Sequence, residues 1–542
     1  MKKTRRKVLL GMSILLVLFL AGAYSFEIYM DHRVPVAYTE RILGIPVVED
    51  LSCLNGKEKR AATEQPGVLF GQAQVPCTAD GTLYLAQDQT SDTWVGELTT
   101  DSRDTYLCML PDTAWDDKKA SVRDNHVFRL YLVGSDYYYP LRLVICGMPV
   151  MTLHTDRVEE QDLGVYEDDP DHFYYDPDKI FFGTMQLFDP AADAAHYQIL
   201  ETGARFYIRG ASSAHFDKKS YALGLLDAKG AKLDQSLLGM RSDNSWKLKA
   251  MVQDGPRVRE KSAYQIWEQF ADTNTEVNEA GPRMEYLELI IDGDYVGLYG
   301  LLEPVDAKKL ALDKNDALYK VTGWMEPEDE DIQYAVDHRW RIMSLVRVRY
   351  PDVIADYEKA WYPMRDYLNT FYHGGGDERP AEQKVYISNA VDMLLFNMAV
   401  SGSDNFYKNI YFAADVDTSG SYVMRQIPWD LDMTFGQHAI DGFLDDETLV
   451  YEEEAVPYLM EKDPTLVQPY LRTRWSQVRG SFLDAEQMLQ ILYDNQEYLL
   501  QAGVEQRENA RWPKYPMTTD LTQVTDLLYR RIDWLDAYFA AY

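Results

Sequence analysis

The stretch from residue 388 to 436 constrains this chain more than any other. Val391, Leu394, Leu395 and Met398 recur at helical spacing, and Gly402 stands just past the last of them. That pattern predicts a helix over 388–400 with its end fixed by glycine. Two apolar runs follow, 410–414 and 422–427, on either side of Asp417-Thr418-Ser419-Gly420. Such a turn composition predicts a hairpin. A helix, a short loop and a returning hairpin bring Asp404, Asn409, Asp430 and Asp432 within reach of one another. The turn from Asp415 to Gly420 resembles the opening of a calcium loop, but position twelve is Gln426 where that loop needs a bidentate glutamate.

The inventory is the one phosphoryl transfer requires: a carboxylate to orient an attacking hydroxyl, and an amide with a second carboxylate to hold a divalent ion. Asp404 and Asn409 stand five residues apart, and Asp430 and Asp432 lie in Pro428-Trp429-Asp430-Leu431-Asp432 beyond the hairpin. Each pair alone is commonplace; their order along one helix–hairpin unit singles them out. A second feature is Arg209-Gly210-Ala211-Ser212-Ser213, followed by Lys218-Lys219-Ser220-Tyr221. A basic residue on a strand after a small-residue turn suits a phosphate clamp. No phosphate-loop motif, no H-E-x-x-H and no G-x-S-x-G occurs, so P-loop, zinc-protease and hydrolase readings fall away. Asp292-Gly293 between apolar runs predicts a further hairpin, and apolar spacing predicts a helix over 258–270. Residues 337–372 read as mostly helical.

With 542 residues, the chain is long enough for several domains, and 46% hydrophobic residues are enough to build cores. A net charge of −33 argues against nucleic acid, whose phosphates need basic surface. Lys2, Lys3, Arg5, Arg6 and Lys7 precede an apolar run over 8–24. The arrangement predicts a leader, residues 1–30, whose basic end stays in the cytoplasm while the rest is outside. It serves either as a single-pass membrane anchor or, if cut near Ala21-Gly22-Ala23, as the leader of a secreted protein. Cys53, Cys77, Cys108 and Cys146 all precede residue 150; an even number in an exported segment favours disulfides, with three pairings open. Residues 31–165 read as a small β-rich domain, sandwich or barrel, 166–181 as a linker, and 182–542 as the larger domain.

In its ordered motifs the sequence resembles the CotH kinase family, the spore coat protein H type. The marks are Arg209 to Ser213 with Lys218 to Tyr221, Trp246-Lys247-Leu248 with Asp254 and Arg259, and the hairpin Asp292-Gly293-Asp294-Tyr295-Val296-Gly297-Leu298-Tyr299. They continue with Asp404 to Asn409 and Pro428 to Gly436. The resemblance covers roughly 180–540 and implies an α+β fold. An atypical protein-kinase-like domain then follows the β-rich domain and the membrane segment. It implies ATP, Mg²⁺ or Mn²⁺, and transfer of phosphate to Ser or Thr of exported or coat-layer proteins of bacterial type. By motif, Asp404 is the catalytic carboxylate, Asn409 and Asp430 are metal ligands, and Asp432 is a further one. Lys219 or Lys218 meets the nucleotide phosphates, Arg209 supports that strand, and Glu303 matches a position the family fills with glutamate. Glu260 departs from the pattern, where Asn is expected after Arg259. Two other readings share the sequence: the same fold transferring AMP or a glutamyl group, and a non-catalytic surface scaffold.

Overall fold

The computed structural model describes residues 38–541 apart from 62–66, 161–177, 211, 278–280, 324–326 and 439–441. The leader at 1–30 and most of the linker at 166–181 lie outside the described residues. Among those described, no helix is long and apolar enough to cross a membrane.

Contacts divide the chain into two compact units, one ending at Ile145 but including 191–197, the other comprising 146–190 and 198–542. The first unit is β-rich. A seven-stranded sheet carries Tyr106–Met109, Val127–Val133 and Tyr137–Cys146 side by side, and a three-stranded sheet is built on Val68–Phe70. Phe128, Leu130 and Leu132 alternate with more exposed neighbours and enter the core beside Leu83, Leu141 and Leu143. All four cysteines are buried free thiols, so the disulfides favoured by their even number are not formed in this structure.

In the second unit seven strands close into a barrel. They are β1 (Val150–Glu160), β2 (Lys179–Asp189), β3 (Gln198–Arg209), β4 (Ser220–Leu226), β5 (Ser245–Lys249), β6 (Met284–Ile291) and β7 (Asp294–Leu302). Neighbours run β1-β2-β3-β4-β5-β7-β6, and a parallel pairing of Val150 with Glu288 joins β1 to β6. Strand β1, which composition grouped with the N-terminal domain, is therefore part of the barrel. Its inward residues, Met151 and Leu153, pack with Trp246, Leu248 and Leu289, a partnership invisible in local sequence. The β6–β7 hairpin forms at Asp292-Gly293, where both residues have positive φ, 49° and 75°, as a tight two-residue turn requires.

A helix, α1 (Arg259–Thr273), follows β5. The remainder builds a five-stranded antiparallel sheet of β8 (Ala317–Val321), β9 (Ile342–Met343), β10 (Val346–Tyr350), β11 (Ile410–Val416) and β12 (Tyr422–Pro428) in the order β9-β10-β8-β11-β12. Strands β9 and β10 correct the expectation of helix across 337–372. Arg339 ends the preceding helix in a left-handed conformation, Ser344 and Leu345 turn with positive φ, and Val346 to Tyr350 alternates with period two. The helix α2 (Ile387–Val400) is buried at every residue from Ser388 to Val400, so it runs through the core rather than lying on it. Two of its buried polar residues are paired across the core: Asn389 exchanges hydrogen bonds with the backbone of Gln426, and Asp392 receives Arg474.

Candidate functional site

Helix α2 stops at Ser401, which takes φ 53°, and Gly402 N–H returns to the Asn397 carbonyl at 2.9 Å. The chain then runs through Asp404 to Asn409, the first residue before β11. Asn409 Nδ2 donates to Asp404 Oδ2 at 2.9 Å, and Lys408 Nζ meets Asp404 Oδ1 at 2.8 Å. The carboxylate is thus held from two sides by its own loop. Burial chiefly pushes the Asp404 carboxyl upward, with Asp430 adding to it, while Lys408 opposes.

One fully buried residue stitches this loop to the end of β12. Asn405 Nδ2 donates to the Trp429 carbonyl at 2.7 Å and the Asn409 carbonyl at 3.4 Å, and Trp429 N–H closes on the Asn409 carbonyl at 2.9 Å. Asn409 and Asp430 both adopt left-handed backbone, φ 55° and 60°. For residues other than glycine this is costly unless the surroundings enforce it, and such strain collects at functional sites. The enforcing contact on Asp430 comes from α1, where the Tyr264 hydroxyl accepts its N–H at 3.0 Å.

One turn before Tyr264, α1 carries Glu260. Its carboxylate meets Lys249 Nζ at 3.0 Å, and the same ammonium pairs with Asp430. Strand β5 sets this up by alternation, since Trp246 and Leu248 fill the barrel while Lys247 and Lys249 take the opposite face. Burial works against the charge on Lys249, but Asp430, Glu260 and Asp432 outweigh it and hold its ammonium above the usual lysine range. Burial likewise opposes ionisation of Asp430, and Lys249 and Arg209 overcome it, keeping that carboxyl far below the usual range. Asp432 goes the other way: burial and the neighbouring charge of Asp430 raise it well above an ordinary carboxyl.

More cations gather at the same place. Arg209 ends β3, paired across the ladder with Ser220, and its charge acts on Lys249, Asp430, Lys247 and Lys320. Lys320 on β8 sits over the rings of Tyr411 and Trp429, 5.7 and 5.2 Å from their centres. Burial, then Arg209, Arg349 and Arg205, lower the Lys247 ammonium to about 7. A cluster of cations inside an acidic chain is suited to a polyphosphate. Gly210 follows Arg209 with φ 115°, and a Cβ there would collide with Ser213 Oγ, so that turn needs glycine.

The structure thus brings Asp404, Asn409, Asp430, Asp432 and Arg209 together, and leaves three expected residues elsewhere. Lys218 is fully buried, bonded to Glu508 Oε1 at 2.6 Å and the Leu298 carbonyl at 2.6 Å. Lys219 donates to the Ala214 carbonyl at 2.9 Å. Glu303, 1% exposed, accepts from the backbone of Arg241 and Arg283 and from Lys309 Nζ at 2.8 Å, so it staples these segments together. The lysine that the structure brings to Asp430 is Lys249, and Glu260, the departure from the expected Asn, is its partner. The signal was present in sequence, as a lysine on the outward phase of β5 shortly before a helix that opens with glutamate.

Among the described residues, no group of three or more His, Cys, Asp or Glu could hold a metal ion by itself. The donors present still suit a hard divalent cation. Asn409 turns its amide nitrogen to Asp404, leaving its oxygen, and the carboxyls of Asp430 and Asp432 lie close enough to act on each other and on Asp404. Mg²⁺ or Mn²⁺ takes such oxygen ligands and completes its shell with phosphate and water.

A lysine on a β-strand paired to a helix glutamate, with an Asp/Asn loop and a further Asp across a hairpin, is an arrangement like that of protein-kinase sites. The family model described as CotH kinase protein matches residues 206–529, and the chain belongs to that family. A search of the curated proteins finds no match to the chain.

Proposed function

We propose that the chain is an exported phosphotransferase that moves the terminal phosphate of ATP, with Mg²⁺ or Mn²⁺, onto a Ser or Thr hydroxyl of an exported protein. The observation that carries the reading is the convergence of Lys249, Glu260 and Asp430 beside the Asp404–Asn409 loop. Export rests on the basic and apolar leader alone.

In this reading Asp404 accepts the proton of the acceptor hydroxyl as its oxygen attacks the terminal phosphorus, and the bond to the departing diphosphate breaks. Lys408 and Asn409 fix the carboxylate, so little reorganisation is needed at that moment. Asn409 and Asp430, with Asp432 beside them, would hold the divalent ion, which would neutralise charge on the phosphates. Lys249, kept charged and paired by Glu260, would meet the phosphates. Arg209, Lys247 and Lys320 supply further positive charge in the same cluster.

The test is the full chain with terminally labelled ATP, Mn²⁺ and a Ser-rich acceptor, read by label transfer and by the mass added to the acceptor. Transfer in the parent and none in Asp404→Ala supports the proposal. A mass gain corresponding to AMP or a glutamyl group would redirect it to another transferred group. No Asp404-dependent modification of any kind would leave the scaffold reading.

A further inference from the structure

We infer that Cys53 and Cys108 are a disulfide-forming pair, and that Cys77 and Cys146 remain thiols. The inference concerns the first unit and stands apart from the proposed phosphotransfer. Four cysteines allow three pairings, and the fold selects among them. Cys53 Sγ and Cys108 Sγ lie 3.8 Å apart although 55 residues separate them in sequence. Both are buried, in a small apolar cluster with Val48 and Val133, flanked by Leu51, Leu54 and Tyr106. A disulfide is itself apolar and occupies the space two touching thiols already fill.

Closing the gap to a bond of about 2.05 Å asks for a small movement, and the two ends differ in their freedom to make it. Cys108 lies on the strand Tyr106–Met109, paired with Val127–Val133 by a continuous register. Cys53 lies in a three-residue turn, Ser52–Leu54, held by single bonds from Leu54 N–H to the Leu51 carbonyl and from Asn55 N–H to the Ser52 carbonyl. The turn can advance on the strand without disturbing a ladder.

The other two thiols are occupied. Cys77 donates to the Thr78 carbonyl at 3.5 Å. Cys146 is fully buried, and its thiol is engaged by the Glu288 carboxylate.

The bond forms by exchange with an oxidised dithiol carrier or oxidised glutathione. Cys53, a residue 7% exposed against 0% for Cys108, attacks one sulfur of the oxidant through its own sulfur, giving a mixed disulfide and one released thiol. Cys108 attacks the Cys53 sulfur, the mixed bond breaks, and the second thiol leaves. Two electrons and two protons pass from the protein to the oxidant, which ends as two thiols. Because both sulfurs are buried, exchange is fastest before the unit has closed.

The test uses the full chain incubated with oxidised glutathione, once as the folded protein and once while refolding from urea. Free thiols are then alkylated under denaturing conditions, and peptides are mapped without reduction. The expected result is a Cys53–Cys108 cross-linked peptide in the refolded sample, with Cys77 and Cys146 alkylated. The doubly substituted chain Cys77→Ala, Cys146→Ala should form the same cross-link. Reduction should lower the melting midpoint of this unit by roughly 10 °C or more, since the bond closes a long loop. Four alkylated thiols in both samples, or a cross-link between any other two cysteines, would overturn the inference.

Discussion

Two buried lysines in the barrel unit show how similar chemistry serves different ends. Lys218 stands just before β4, shut from solvent, with Glu508, the Leu298 carbonyl and the ring of Tyr299 taking all its capacity. Lys249 ends β5 with one buried partner, Glu260, and a second, Asp430, that is 34% exposed and follows the Asp404–Asn409 loop's partner Trp429. The first lysine is consumed by the fold and the second is held ready by it. Being buried and paired with a glutamate does not distinguish them; what the remaining partner faces does.

The comparison can be broken by substitution. The largest expected effect is on stability, in Lys218→Met, which leaves buried Glu508 only Arg257, at 3.6 Å, as a cation and should cost about 3–5 kcal/mol in denaturant unfolding. Adding Glu508→Met should restore much of that loss. Nucleotide binding by the molecules that remain folded should be unchanged; weakened binding there would mean that Lys218 reaches the site.

Lys249→Met should behave oppositely, lowering transfer about 10²–10³-fold, the cost of losing one preorganised charge in a transition state. A double-mutant cycle with Glu260→Gln should show the two effects overlapping rather than adding. Independent losses would break the pairing between strand and helix.

A smaller effect is expected at Asn405, which touches neither substrate but ties the Asp404 loop to Trp429. Asn405→Ala should lower turnover about tenfold and leave KM for the acceptor near the parent value, with about 1–3 kcal/mol of stability lost. A change confined to stability would assign Asn405 to folding alone.

The smallest effect belongs to Lys247, whose ammonium is lowered to about 7. Below that pH it is charged and attracts phosphate, and above it the charge is lost. ATP affinity should therefore fall as pH rises through about 7, by roughly two- to fivefold. Lys247→Gln should flatten the profile, and an unchanged profile would remove Lys247 from the cluster.

Much of this was legible in the residues themselves. The 388–400 helix, both hairpins and the order of Asp404, Asn409 and Asp430 follow from spacing and turn chemistry, which act over a few residues. What the sequence withheld depends on distant partners. Lys218 looked like a phosphate clamp because it follows a small-residue turn, and its actual role is set by Glu508, 290 residues away. Glu260 looked like a defect until β5 placed Lys249 against it. The Val346–Tyr350 strand was masked by helical aromatics on both sides, and β1 by the cysteine-bearing strands before it. Overall acidity concealed the cation cluster, because composition averages over the whole chain and a local cluster does not.

The most direct measurement is Mn²⁺-dependent ATP binding to the full chain and to two variants, with label transfer measured in parallel. If Asn409 and Asp430 share a metal beside Asp404, Asp430→Ala abolishes metal-dependent binding, while Asp404→Ala binds as the parent does and transfers nothing. Parent-like binding by both variants, or transfer that survives in Asp404→Ala, would contradict the account.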